Sequence, residues 1–373
     1  MSLALLLGPQ LTAFARAGYE VVGVSAPGPF VAELVAAGIS HVPLPHATRS
    51  VSLRDDGRAA ASLYRLFRRL RPDIVHTHNP KPGVYGRVAA RAAGVPVVVN
   101  TVHGLYATRQ DSLARRITVY SAERIAAACS DAELVQNPED LETLASLKVP
   151  RERLRLLGNG IDLERFRSDT RSEQARQRIR AEIGATDDTV VVGAVGRLVW
   201  EKGYADLFAA AAELRRLALP VLVVVVGPSE PAKSDAIGPA DLAAAKATGI
   251  RLLGHRADVT DVYAAFDIYV LASYREGFPR SAMEAAAMGL PLVATDVRGC
   301  REVVDHGQTG LLVPPRDPAS LAAAIARLAS DPSLRRSMGE CSSDKAWHEF
   351  DQKHVIDITL ATYEQLLAQK RHA

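Results

Sequence analysis

Cysteine is scarce in this chain of 373 residues, which carries only Cys129, Cys300 and Cys341. They lie far apart and show no metal-ligand spacing, so neither a disulfide framework nor a structural zinc site is expected. Their odd, sparse use suits a reducing cytosol. Aromatic residues make up 5%. No basic stretch is interleaved with aromatics and no nucleic-acid motif is present, which argues against a nucleic-acid binder. No apolar run reaches the roughly 18 residues a membrane-spanning helix needs. The first residues lack a basic n-region and a clear cleavage site, so no signal peptide is expected. There is no Asp-x-Asp, the carboxylate pair that commonly holds a divalent ion in metal-dependent transferases.

What is present fits a packed globular protein, with 48% hydrophobic and 23% charged residues. The length suits two domains of ordinary size. The net charge of +3 conceals an asymmetry, because residues 1–160 hold 19 Lys and Arg against 13 Asp and Glu. A basic N-terminal half could face an anionic acceptor or an anionic membrane surface.

The richest stretch follows the apolar run Asp267–Ala272, which reads as a buried parallel strand. Behind it come Arg275-Glu276-Gly277-Phe278-Pro279-Arg280-Ser281, and then a helix over 282–288 closed by Gly289. The start of that helix, with the N–H groups of Arg280 and Ser281, favours an anion such as phosphate. Glu276 before it and Glu284 inside it are suited to accept hydrogen bonds from hydroxyls. A phosphate cradle flanked by two such carboxylates describes a sugar nucleotide; the alternative is a pair of solvated helix-end carboxylates. A second strand, Val190–Gly196, leads into Arg197-Leu198-Val199-Trp200-Glu201-Lys202-Gly203, whose two cations suit a diphosphate.

Gly196-Arg197-Leu198 with Lys202-Gly203, then Glu276-Gly277-Phe278-Pro279 with Glu284-Ala285, resembles the GT4-type retaining glycosyltransferases of the GT-B fold. The stretches His76-Thr77-His78-Asn79-Pro80-Lys81-Pro82-Gly83 and Asn100-Thr101-Val102-His103-Gly104 point to the capsular and exopolysaccharide branch. The resemblance spans nearly the whole chain. It implies an α/β protein of two Rossmann-like, doubly wound domains facing a central cleft. The expected division is an acceptor-side domain over 1–162, a nucleotide-sugar domain over 163–344, and a C-terminal helix over 345–373 that returns to the first domain.

The N-terminal part is read from periodicity. Ser2–Ala17 has helical spacing and Tyr19–Ser25 reads as a strand, so the opening strand of a doubly wound domain is not in evidence. That strand either lies upstream of Met1 or is absent, which would leave an exposed sheet edge. Arg58–Arg71 reads as an amphipathic helix with Leu63, Leu66, Phe67 and Leu70 inward. Arg65, Arg68 and Arg69 then form either a solvated face or a membrane-surface contact. His78, Lys81 and His103 fall at the carboxyl ends of two adjacent strands, over 73–78 and 97–101. A further helix is expected over 84–93, and polar residues 168–184 suit an exposed helix and linker.

The resemblance implies transfer of a sugar, with retention, from a nucleotide sugar (UDP favoured over GDP) to a glycan or lipid-linked acceptor. Arg197 and Lys202 would hold the diphosphate, Glu284 the ribose and Glu276 the sugar hydroxyls. His103 would contact donor sugar or acceptor, with His78 and Lys81 on the acceptor side and Arg256 near the base. Gly196, Gly277, Phe278, Pro279, Arg280 and Ser281 complete the donor site. No metal and no cofactor is expected, and the location would be cytoplasmic, with a peripheral contact to the inner face of the membrane allowed. The rival readings are a sugar-nucleotide epimerase, a glycosyl phosphorylase, and a non-catalytic sugar-nucleotide-binding protein.

Overall fold

The computed structural model describes residues 3, 6–28, 30–48, 52–78, 80–108, 111–167, 173–231 and 233–371. Asn79 and residues 168–172 of the expected linker lie outside them. The chain divides into two compact units. Unit 1 holds residues 1–158 with 353–373, and unit 2 holds residues 159–352.

Unit 1 runs α1 (Gly8–Arg16), β1 (Val22–Ser25), α2 (Val31–Ala36), β2 (Ser40–Pro43), α3 (Leu53–Leu70) and β3 (Ile74–His78). It continues through α4 (Pro80–Ala92), β4 (Val97–Val102), α5 (Leu113–Ala127), β5 (Ala132–Val135), α6 (Pro138–Ser146) and β6 (Leu154–Leu156). All strand pairs are parallel. Among the described residues they form two sheets, β1-β2 and β3-β4-β5-β6. The pleat divides the apolar residues of β4 between two cores. Val98 packs with Leu63, Phe67 and Ala90 of α3 and α4, while Val97 and Val99 pack with Phe14, Val355 and Tyr363. Alternation along a strand produces this division.

Two helices start earlier than their patterns predict. α3 begins at Leu53 rather than Arg58, because Ser52 caps it through the Asp55 N–H and Asp55 and Asp56 face the positive end. Gly57 sits inside the helix and hides this start from a periodicity reading. α4 begins at Pro80 rather than Val84, since prolines in a first turn give up N–H groups that the helix does not use. Leu70, expected inside, is 46% exposed.

Unit 2 runs α7 (Glu173–Ile183), β7 (Val190–Val195), α8 (Tyr204–Arg216), β8 (Val221–Val226), α9 (Pro239–Ala247) and β9 (Arg251–Gly254). After α10 (Val259–Ala264) come β10 (Ile268–Leu271), α11 (Arg280–Ala287), β11 (Leu292–Thr295), α12 (Arg298–Arg301), β12 (Gly310–Val313), α13 (Pro318–Ser330) and α14 (Pro332–Glu349). All six strands are parallel in the order β12-β11-β10-β7-β8-β9. This is the doubly wound order, with its topological switch point between β7 and β10. The valine runs of β7 and β8 are buried on both faces, as parallel strands between helix layers require.

The C-terminal helix expected over 345–373 consists of parts of two helices. α14 ends at Glu349, and α15 (Gln352–Arg371) belongs to unit 1 from Lys353 onward. The break is set by Phe350, which is fully buried in the unit 2 core with its ring edge-on to Phe278. The Ile161 N–H donates to the Phe350 carbonyl, and the Gln352 N–H donates to that of Ile161. Among the described residues no helix is long and apolar enough to cross a membrane.

Candidate functional site

In unit 2 the carboxyl ends of β7 and β10 lie side by side at the switch point, where open α/β sheets bind ligands. After β7 the chain passes Gly196 and Arg197 and makes one 3-10 turn, Trp200–Lys202. Gly203 ends that turn at φ +71°, and a Cβ there would lie 1.8 Å from the Ala272 carbonyl oxygen. Only glycine lets the loop close this tightly against the end of β10. Lys202 is thereby delivered to the loop after β10, with its Nζ 2.6 Å from Glu276 Oε1. The Glu276 side chain is 10% exposed and that of Lys202 22%.

The β10–α11 loop is held from behind. A Cβ on Gly299 would lie 2.5 Å from the Gly277 carbonyl oxygen, so α12 can approach the loop only with glycine there. Asn159 Nδ2 donates to the Phe278 carbonyl. Pro279 stands at the N-cap of α11 and offers no side-chain acceptor to the helix start. Inside α11, Tyr269 Oη donates to Ser281 Oγ at 2.7 Å. Tyr263 Oη lies 3.0 Å from Glu284 Oε2 and 3.1 Å from the Ser281 carbonyl. Both tyrosines are fully buried, and burial pushes their hydroxyls well up. Desolvation raises the Glu284 carboxyl, opposed by the charge of Arg280 and the bond from Tyr263. These two tyrosines escaped the sequence reading because each sits within an apolar run and looks like core.

The other cations are already engaged. Arg197 pairs with Glu230 at 3.1 Å, and Lys233 approaches the same carboxylate at 3.8 Å. Arg256 donates to both carboxylate oxygens of Asp258 and to Glu182. Those bonds raise its already high pKa and hold Asp258 down to about 2. Arg256 follows β9, the edge strand two positions from β7 in the sheet.

In unit 1 the carboxyl ends of β3 and β4 bring three histidines together. The His78 Nδ1 and His103 Nε2 atoms are 3.0 Å apart, so one of the two nitrogens carries the shared proton. The His76 and His78 rings stack at 4.2 Å. His76 bonds Thr101 Oγ1 through Nε2 and the Tyr363 hydroxyl through Nδ1. Gln136 bonds His103. Desolvation lowers all three, with His76 at about 3, His103 at about 4, and His78 well below its ordinary value. Each is therefore a neutral imidazole near pH 7. Lys81, expected beside them, instead pairs with Asp56 of α3 at 2.7 Å and donates to the Thr48 carbonyl. Its place in the first turn of α4 points it toward α3.

Behind the histidines lies a buried polar network. Thr77 donates to Asn100, and Asn100 Nδ2 donates to Glu133. Arg87, 1% exposed, donates to Glu133 and Glu123 at 2.7 Å each and to the Gly83 carbonyl. Desolvation raises the Glu123 carboxyl against the pull of Arg87.

A parallel doubly wound unit with a cation–carboxylate site at its switch point is a nucleotide-binding architecture, and comparison with known proteins specifies which. Residues 10–165 match the family described as Glycosyltransferase Family 4, and residues 189–331 match Glycosyl transferases group 1. A UDP-Gal:alpha-D-GlcNAc-diphosphoundecaprenol alpha-1,3-galactosyltransferase of Escherichia coli is 31% identical over 88% of this chain and 84% of its own length. The capsular polysaccharide biosynthesis glycosyltransferase CapM of Staphylococcus aureus is 26% identical over 86% of this chain and 84% of its own. The Anabaena protein HepE, solved in complex with UDP, superposes with a TM-score of 0.77 at 22% identity, covering 96% of each chain. The chain belongs to the family 4 (group 1) glycosyltransferases, and its fold is that of the GT-B enzymes.

Proposed function

We propose that this glycosyltransferase moves a sugar from a UDP-sugar to a lipid-linked glycan acceptor, with retention and without a metal ion. The observation that carries the donor half is the pairing of Lys202 with Glu276 at the switch point, beside the start of α11. A diphosphate arriving there would compete with Glu276 for the ammonium of Lys202. The released carboxylate would accept hydrogen bonds from the sugar hydroxyls, and Glu284, set by Tyr263, would accept from the ribose. Arg197 would leave Glu230 for the phosphates. The base would be held by backbone groups after β9, with Arg256 kept in place by Asp258. Gly196, Gly277, Phe278, Pro279, Arg280 and Ser281 would shape the cradle.

In the transfer, the bond from the anomeric carbon to the diphosphate oxygen breaks and a bond to the acceptor hydroxyl forms on the same face. The acceptor proton passes to the departing phosphate oxygen. Lys202, Arg197 and the helix start would stabilise the charge that develops there. His103, neutral and oriented by His78 and Gln136, would hydrogen-bond donor sugar or acceptor. A lipid-linked acceptor is supported by the undecaprenol-linked substrate in the name of the Escherichia coli relative.

The test is thermal melting with UDP, GDP, ADP or dTDP in excess chelator. A ligand at about 1,000 times its Kd stabilises the fold by about 4 kcal/mol. A rise with UDP alone is the expected result. A rise with another nucleotide instead would overturn the donor assignment, and a rise seen only when divalent metal is restored would overturn metal independence.

A further inference from the structure

Each cation assigned to the diphosphate is met by a carboxylate from a neighbouring loop, Lys202 by Glu276 and Arg197 by Glu230. The donor reading gives Glu276 a further task, with the sugar hydroxyls, and gives Glu230 none. The place of Glu230 is nevertheless built by the backbone. Three hydrogen bonds join the residues around it, which follow β8, to those around Arg197. The Leu198 N–H donates to the Pro228 carbonyl, the Ile237 N–H to that of Leu198, and the Trp200 N–H to that of Asp235. Ile237 is buried in the apolar core of unit 2. Glu230 is thus delivered to Arg197, its Oε2 3.1 Å from Nη1, with its side chain 16% exposed. The same Oε2 lies 3.8 Å from the Nζ of Lys233, whose N–H donates to the Glu230 carbonyl. One carboxylate oxygen therefore has two cations within reach, one closer than the other.

We propose that Glu230 is a partner-switching counter-anion of the donor site: a diphosphate displaces it from Arg197, and it then passes to Lys233. This rests on the reading that Arg197 binds the diphosphate. Carboxylate and phosphate oxygens accept from the same guanidinium N–H groups, so the two compete for them. A largely buried carboxylate stripped of its cation is costly. Lys233 removes that cost, because a flexible ammonium already 3.8 Å away closes on Glu230 by side-chain rotation alone. The exchange bears on turnover as well as binding. UDP carries one negative charge more than the UDP-sugar it comes from, so the two cations would hold the product harder than the substrate. A carboxylate that returns to Arg197 works against that retention, and product release limits many transferring enzymes. An ordinary structural brace would act in the opposite sense. Removing a brace loosens Arg197 and weakens nucleotide binding, whereas removing a competitor tightens it.

The experiment is calorimetric titration of UDP into the full chain and into Glu230→Gln, Lys233→Met, the double variant and Arg197→Ala, with circular dichroism to report that each is folded. Glu230→Gln should tighten UDP binding by about fivefold, the scale of one partly exposed ion pair. Lys233→Met should weaken it by about threefold in the unmodified protein and leave it unchanged beside Glu230→Gln, because the two residues act as one pair. Weaker or unchanged binding in Glu230→Gln, with binding lost in Arg197→Ala, would overturn the switch and leave the donor reading standing. Unchanged binding in Arg197→Ala would overturn the donor role of Arg197, and the switch with it. Equal weakening by Lys233→Met in both backgrounds would show that Lys233 meets the nucleotide itself and would overturn the passage of Glu230 to it. If Glu230→Gln does not fold, Lys233→Met decides alone, since unchanged or tighter binding there would overturn the proposal.

Discussion

The two units solve the same parallel α/β problem with different materials. Unit 2 closes one six-stranded sheet between two apolar layers and, among its described residues, leaves only Leu217 and Trp347 as exposed large apolar side chains. Among its described residues, unit 1 splits its strands between two sheets, buries the Arg87–Glu123–Glu133 cluster in its interior, and exposes ten large apolar side chains. Unit 2 keeps the Lys202–Glu276 pair of its switch point apart from the Arg180–Asp267 pair that ties α7 to the amino end of β10. The polar groups of unit 1 run through the body of the unit, so its strand ends are held by hydrogen bonds as much as by packing. Stability and chemistry are therefore separable in unit 2 and entangled in unit 1. Both tryptophans, Trp200 and Trp347, lie in unit 2. Tryptophan fluorescence follows that unit alone, while far-ultraviolet circular dichroism follows both.

The largest expected effect comes from Arg87→Ala. It strands two buried carboxylates, and removing one partner of a buried pair costs about 3–5 kcal/mol. In denaturant, the circular dichroism transition of unit 1 should move to lower concentration while the tryptophan transition of unit 2 stays in place. Coincident shifts of both would show that the units unfold together and that the contrast is only one of composition.

The mirror experiment acts on unit 2. Arg197→Ala with Lys202→Ala removes the cations assigned to the diphosphate, and losses of about 10²–10³-fold in kcat follow the removal of such stabilising groups. Melting should change less than in Arg87→Ala, because Lys202–Glu276 and Arg197–Glu230 join loops beyond the strand ends and are less deeply buried than the Arg87 cluster. Near-normal turnover would sink the diphosphate assignment. A large fall in melting temperature would show that the pairs are structural, and the separability claimed for unit 2 would fail.

Much of unit 2 can be read from the sequence because its signals are local. Valine runs end in glycine, Gly203 follows Lys202, and Glu276 and Glu284 lie one loop and one turn apart. What could not be read is set by distance along the chain. Lys202 meets Glu276, Arg197 meets Glu230, and Glu284 is set by Tyr263, a residue that looks like any apolar helix position. In unit 1 the strand ends predict that His78 and His103 are neighbours, and the structure puts their nitrogens within hydrogen-bond distance. The Arg87 cluster gathers residues from α4, α5 and β5 whose spacing carries no period, so nothing local announces it. Lys81 was misplaced for a related reason. Pro80 and Pro82 look like a loop, yet both fit the first turn of α4, and that turn sends Lys81 toward Asp56. The exposed Leu113, Ile117 and Ile125 of α5 look like core positions in the sequence, since residue type alone does not say which way a side chain points.

The smallest effect of a single substitution is read from the acid sensitivity that the buried histidines give unit 1. Burial keeps His76, His78 and His103 neutral in the fold, with His76 at about 3 and His103 at about 4. An unfolded histidine takes a proton below about 6.5. Between those values the unfolded chain binds more protons than the folded one, so stability rises with pH. The histidine contribution is complete above about 6.5 and is lost as pH falls toward the folded values. From pH 7 to pH 5 this costs about 2 kcal/mol for each ring that stays neutral. His76→Asn should remove one such share from the acid sensitivity of the circular dichroism transition and leave the tryptophan transition unchanged. If the substitution leaves the pH slope as it was, His76 is already protonated at pH 5 in the fold. The link from β3 through His76 to Tyr363 would then be an ionic one, and the strand ends of unit 1 would carry positive charge toward any anionic acceptor.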